Sequence, residues 1–144
     1  MTFKYKNVYV KDTATISGPY EKDGPLGEYF DKSYKDLYFG TDSWELAEQK
    51  IAEESIEMLL KKVKLKAKDI ELVIAGDLSN QITSTTFASN NIGNSFLGVY
   101  DACATSAEEL IVASSLIDAK RINNALCVTS SHNMVSEKQF RNPT

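Results

Sequence analysis

The sequence predicts an α/β fold built on a mostly parallel sheet with helices on both faces. Two observations predict it. Strand-like and helix-like segments alternate in the order β, α, β, short α, β, α, β. Several strands also read as continuous apolar runs, the pattern of parallel strands covered on both sides.

Taken in order, Val8 to Ser17 alternates and is rich in β-branched residues (Val8, Val10, Thr13, Thr15, Ile16), so it reads as a strand stopped by Gly18-Pro19. Residues 18–40 carry Gly18, Gly24, Gly27, Pro19 and Pro25 among six aromatic residues, Tyr20, Tyr29, Phe30, Tyr34, Tyr38 and Phe39. That composition predicts an ordered loop insertion packed through its rings. Asp42 followed by Glu45 is a capping-box pattern for a helix through Val63, with a stripe of Trp44, Ala47, Ile51, Ser55, Met58, Leu59 and Val63 toward the core. Leu65 to Asp69 is a polar turn, and Ile70 to Ala75 is a strand ending at Gly76-Asp77. A shorter helix is expected over Ile82 to Asn90, stopped by Gly93, and a strand over Phe96 to Tyr100. A long helix follows from Cys103 to Arg121. It has apolar or small residues on nearly every side (Leu110, Ile111, Val112, Ala113, Leu116, Ile117, Ala119), which predicts burial all round. Ala125 to Ser130 is the last strand. Beyond it Ser130-Ser131-His132-Asn133 stand where open α/β sheets place their binding groups, and the sequence stops without a closing helix or strand.

The bulk numbers narrow the function classes. At 144 residues, 42% hydrophobic and 25% charged, the chain fits one domain, residues 1–144, with a real core. A net charge of −4 argues against a nucleic-acid binder that works by neutralising phosphates. Two cysteines, Cys103 and Cys127, are too few for a disulfide scaffold and lack metal-ligand spacing, so a reduced, intracellular setting is expected. The acidic residues are spread along helix faces without oxygen-ligand spacing, so no metal and no cofactor is expected. No apolar run is long enough to span a bilayer, and the N-terminus has no signal-peptide core.

The chemistry concentrates at Phe96 to Leu110. A strand there delivers Cys103 to the start of a helix, among free backbone N–H groups at the positive end of the dipole, which favours a thiolate or a bound anion. Thr105 and Ser106 add hydroxyls. His132, the single histidine, and Asn133 follow the last strand; a structural role and a binding role are both open for His132. Arg141 is the nearest cationic candidate, against the simpler reading of a surface ion pair. Asp77 and Asn80 lie on the same rim, where turn formation explains them equally well. Cys127, between Leu126 and Val128, reads as core. The lysines Lys61, Lys62, Lys64, Lys66 and Lys68 read as a solvated helix end, with contact to anionic lipid as the sharper alternative.

The order strand, bend, cysteine, buried helix resembles the N-terminal half of the thiolase-like superfamily of thiolases and ketoacyl synthases. Further segments carry the resemblance to a sporulation branch of that superfamily: Gly18-Pro19, Asp23-Gly24-Pro25-Leu26-Gly27, Phe30-Asp31-Lys32-Ser33-Tyr34, Trp44-Glu45-Leu46-Ala47-Glu48, Ala75-Gly76-Asp77-Leu78, Ala102-Cys103-Ala104-Thr105-Ser106, Ser130-Ser131-His132-Asn133 and Gln139 to Thr144. The resemblance implies a half-domain of a larger fold, its C-terminal half absent from this sequence. It also implies a non-catalytic protein that binds dipicolinic acid, free or as the calcium salt, for uptake into the developing spore. Its implied partners are membrane proteins of sporulation, at the inner membrane of the forespore. Ligand contacts are expected from Cys103, Thr105, Ser106, His132, Asn133 and Arg141. A homodimer seam is expected along Phe96, Leu97, Gly98, Val99 and Tyr100, since an unpaired apolar edge invites association. The alternative is half of an acyl-transfer enzyme with Cys103 as nucleophile. In the catalytic relatives, however, the histidine and asparagine that serve the cysteine come from the other half, and a carboxylate at Asp101 works against a thiolate.

Overall fold

A computed structural model describes residues 2–141. Its centre is a three-stranded, all-parallel sheet in the order β4-β3-β5, made of β3 (Leu72–Gly76), β4 (Phe96–Gly98) and β5 (Ala125–Thr129). Val73 pairs with Phe96 on one side and with Leu126 on the other, so β3 is the middle strand. Val73, Ile74 and Ala75 are fully buried, which is why this stretch reads as one apolar run with no alternation. The chain leaves β3 for β4 through α3 (Thr83–Asn90), then crosses back over β3 to β5 through α4 (Thr105–Asp118). Because the two crossovers run in opposite directions across the sheet, right-handed connections put their helices on opposite faces.

The long helix α2 (Trp44–Val63) joins α3 on its face. Ala52 and Ile56 of α2, Val73 and Ala75 of β3, Ala88 of α3, and Leu126 and Val128 of β5 form the main core cluster. Ser43, not Asp42, caps α2: its side chain accepts the Leu46 N–H at 3.2 Å. The buried positions of α2 are Ala47, Glu48, Ala52 and Ile56, so the inward stripe is turned by about one residue from the expected one. A charged residue inside that stripe, Glu48, is what the hydrophobic pattern hides.

Three expectations are corrected. Only Ile16–Ser17 of the expected first strand pairs as β1, in parallel with β2 (Lys32–Ser33); Tyr9 and Val10 are 83% and 72% exposed. The segment before β1 is instead held by side chains. Lys62 Nζ donates to the Thr13 carbonyl at 2.9 Å, and the Thr15 N–H donates to Asp31 Oδ2 at 2.8 Å. Second, α4 is not buried all round. Thr105, Glu109 and Ala113 face the sheet, whereas Leu110 and Ile111 are 49% and 40% exposed, since the described residues cover only one of its faces. Third, the chain does form a closing helix after β5, α5 (Asn133–Phe140), which packs on α2 through the buried Val135. Of the expected Gln139 to Thr144 motif, residues 142–144 lie outside the described part.

The loop of residues 18–40 contains a short helix, α1 (Pro19–Lys22), besides β2. Phe39 is its buried anchor, with its ring 4.7 Å from Tyr34 and 5.4 Å from His132. Tyr20 and Tyr29 remain exposed.

Candidate functional site

All three strands of the central sheet point the same way, so their carboxyl ends form one rim. Along it lie, in spatial order, the turn after β4, the turn after β3 and the turn after β5.

Gly76 sets the first of these. A β-carbon there would fall 2.3 Å from the Val99 carbonyl oxygen and 2.5 Å from Thr105 Cγ2, so only glycine lets the chain after β4 fold over the end of β3. Cys103 sits in a tight 3-10 turn, Ala102–Ala104, just before α4 and not within its first turn. Ala102 takes a left-handed φ of 45°. Thr105 braces this turn: its hydroxyl donates to the Ala102 carbonyl at 2.8 Å and accepts the Asp101 N–H at 3.1 Å. The result is a thiol held on a rigid bend and exposed to solvent, next to an exposed Ser106.

Beneath this turn, on the α4 side of the sheet, Glu109 is 1% exposed. Its Oε2 accepts the Thr129 hydroxyl at 3.0 Å, and burial pushes its carboxyl up to about 7. Burial, with Glu109 as a second cause, pushes the Cys127 thiol up to about 11. Cys127, expected in the core, is only half-buried, and its raised thiol makes it a poor nucleophile.

The turn after β3 is organised by Asp77. Its carboxylate, 1% exposed, accepts the Ser79 N–H and the Thr85 N–H at 2.7 Å each, the Thr85 hydroxyl at 2.7 Å and the Ser79 hydroxyl. The group expected on the rim as a ligand contact or turn former therefore builds the turn and the start of α3. Two successive left-handed residues follow, Gln81 (φ 58°) and Ile82 (φ 48°), an unusual conformation for a β-branched side chain.

Between that turn and the end of β4 opens a cleft of about 440 Å³. Asn80, Gln81 and Gln139 bring carboxamides to it, Tyr100 a phenol, and Ile82, Val99 and Phe140 apolar walls. Gly98 makes room for Ile82, since a β-carbon there would meet Ile82 Cδ1 at 2.2 Å. The Asn80 N–H donates to Gln139 Oε1 at 2.9 Å and so ties α5 to this cleft. Neither Gln81 nor Gln139 stands out in the sequence; only the turn geometry brings them to the rim.

The turn after β5 is turned inward. His132 is 4% exposed and its Nε2 meets the Leu37 carbonyl oxygen at 2.8 Å, so the imidazole joins the loop of residues 18–40 to the sheet. Glu48 lies beside it, 1% exposed, accepting the Ser130 hydroxyl at 3.1 Å. Burial, reinforced by the Asp77 charge, pushes the Glu48 carboxyl up to about 7.

Of the six expected ligand contacts, then, Cys103, Thr105 and Ser106 are neighbours on one turn. His132 and Asn133 follow β5, on the other side of the central strand β3 from β4. Thr105 and His132 are buried and serve internal partners, whereas Ser106 and Asn133 are exposed. Arg141 sits past the end of α5, where its Nε meets Glu137 Oε2 at 3.1 Å, the surface ion pair of the simpler reading. The expected seam is an exposed edge: Phe96 and Leu97 are 37% and 40% exposed, and Tyr100 56%. Among the described residues no group of three or more histidine, cysteine or carboxylate side chains has a metal-binding arrangement. No helix among them is long and apolar enough to cross a membrane.

Comparison with known proteins follows this geometry. A family profile described as stage V sporulation protein AD matches residues 1–144. A protein described as stage V sporulation protein AD from Bacillus subtilis (strain 168) is 42% identical over 137 residues, covering 95% of this chain and 40% of that protein. The chain thus spans about 40% of the length of this relative. Among solved structures, 3-oxoacyl-[acyl-carrier-protein] synthase III from Aquifex aeolicus VF5 superposes with a TM-score of 0.55 at 16% identity, over 64% of this chain and 30% of that one. That likeness establishes the thiolase-like α/β fold.

Proposed function

Because the chain belongs to the stage V sporulation protein AD family, we propose that it is a non-catalytic, ligand-binding member of the thiolase-like fold that takes part in dipicolinic acid uptake into the developing spore. One observation carries the non-catalytic part. The single imidazole of this chain is buried and bonded to the Leu37 carbonyl, across the central strand from Cys103. Among the described residues the exposed thiol therefore has no imidazole beside it to serve as the general base of an acyl-transfer step. A rigid rim with an exposed thiol, Ser106, Asn133 and an amide-lined cleft suits binding without turnover: carboxamide and hydroxyl donors face the carboxylates of a flat aromatic diacid, and Tyr100 and Phe140 offer apolar walls.

In this reading the protein docks peripherally at the inner membrane of the forespore with other stage V sporulation membrane proteins. It pairs with a second copy along β4, whose exposed Phe96 and Leu97 leave an apolar edge uncovered. Native mass spectrometry with dipicolinic acid, against benzoate as a monoacid control, tests the ligand. One dipicolinate per chain with no benzoate adduct is the expected result; equal retention of both, or of neither, overturns it. Replacing Leu97 with Lys should shift a dimer to monomer in light scattering.

A further inference from the structure

Two carboxyl groups are buried near the carboxyl rim, Glu48 from α2 and Asp77 from the end of β3, each 1% exposed. Their surroundings are unequal. Asp77 is met by four donors from Ser79 and Thr85. Glu48 accepts the Ser130 hydroxyl, with Ser84 and the His132 backbone close by. Among the described residues no lysine or arginine pairs with either carboxyl; the ion pairs of α2 are Glu45 with Lys138, Glu54 with Lys32, and Glu57 with Lys61, besides Lys62 with Asp31. The imidazole packed beside them, His132, directs Nε2 to Leu37 and leaves Nδ1 buried without a partner. A carboxyl so enclosed, with a hydroxyl donor and no cation, is costly to ionise, so Glu48 keeps its proton, and the Asp77 charge acts in the same direction.

We propose that Glu48 and Asp77 form a proton-operated latch: with the proton on Glu48 the helix α2, the end of β5 and the start of α5 are locked together, and loss of that proton releases the Ser130–Val135 segment. Ionised Glu48 needs water or new donors, and this segment carries its hydroxyl partner, Ser130. Its neighbours Ser131 and Asn133 are already exposed, whereas α2 and β3 are pinned by the main core. Besides the buried Val135, the exposed Lys138–Glu45 pair, 2.6 Å, bridges α5 to α2. Release would also loosen the His132 contact to Leu37 and with it the seat of the 18–40 loop. The latch sits behind the rim and stands whether or not dipicolinate is the ligand.

Hydrogen–deuterium exchange of this chain, corrected for intrinsic rates, tests it at about pH 6 and about pH 8. With Glu48 titrating near 7 in the closed state and near 4.5 in the open one, protection over residues 130–135 should fall about tenfold across that range. In Glu48→Gln, which keeps an acceptor for Ser130 and cannot ionise, the fall should vanish while exchange in α4 stays as in the parent. A pH-independent segment, or an unchanged fall in Glu48→Gln, overturns the latch. Carbon-13 titration of the Glu48 carboxyl in the unmodified chain needs no variant: a midpoint in the ordinary carboxylate range also overturns it.

Discussion

Gly76 and Thr105 touch so closely that no side chain fits between them. A β-carbon at residue 76 would lie 2.5 Å from Thr105 Cγ2 and 2.3 Å from the Val99 carbonyl oxygen, which is backbone and cannot swing aside. Gly76→Ala should therefore cost about 3 kcal/mol of stability through overpacking. It should also displace the Cys103 turn, which chemical denaturation and thiol-labelling rates measured together would register. A variant with parental stability and an unchanged labelling rate would show that this contact is looser than described.

Asp77 should be the most costly polar residue of the rim. Asp77→Ala leaves the buried Ser79 and Thr85 donors without an acceptor, a loss of roughly 3 kcal/mol. Asp77→Asn retains one acceptor oxygen and should lose less. Urea unfolding of both variants gives the order directly, and α3 should be the first region to lose exchange protection.

Glu109 makes the stability of the chain fall as pH rises. Its folded value of about 7 lies above the ordinary 4.5, so between those two values the native state holds a proton that the unfolded chain has released. Stability is lost over that window and is level above it. Glu109→Gln should be more stable than the parent above neutral pH, by up to about 3 kcal/mol, and should match it near pH 4.5. Thermal melts across that range decide it; an equal offset at every pH would mean packing, not ionisation, is responsible.

The two thiols should separate cleanly under alkylation. Cys103 is exposed, while Cys127 is half-buried with its thiol pushed up to about 11. Iodoacetamide near neutral pH should add a single carbamidomethyl group, mapped to Cys103 by peptide mass spectrometry. Cys127 should react only after denaturation. Labelling of both thiols in the native chain would place β5 in a more open sheet.

What the sequence disclosed and what it withheld divide along physical lines. The runs at Leu72–Gly76 and Ala125–Thr129 were legible because strands covered on both faces need apolar side chains at every position. The helices α2 and α3 were legible from their periodicity. The extent of the first strand was not, because alternation in Val8 to Ser17 reports a strand-compatible segment and says nothing about a partner. Nor was α5: Asn133–Phe140 is polar, with Val135 its single buried residue. At the site, the delivery of Cys103 from β4 toward α4 could be read, though not the 3-10 turn that holds it short of the helix, as could the rim location of Asp77. The inward turn of His132 depends on Leu37, 95 residues earlier in the chain, and the buried Glu48 hides within an ordinary charged helix surface. Long-range polar contacts leave no local pattern.

The hydrogen bond from His132 to Leu37 also constrains the order of assembly. Closing a loop of that length is entropically costly, and the contact forms only when both ends are already positioned. During synthesis the 18–40 segment emerges early, yet Phe39 and Leu37 acquire their seat only once β5 and His132 have left the ribosome. The Leu37–Phe39 end of the aromatic loop is thus made early and completes its docking late.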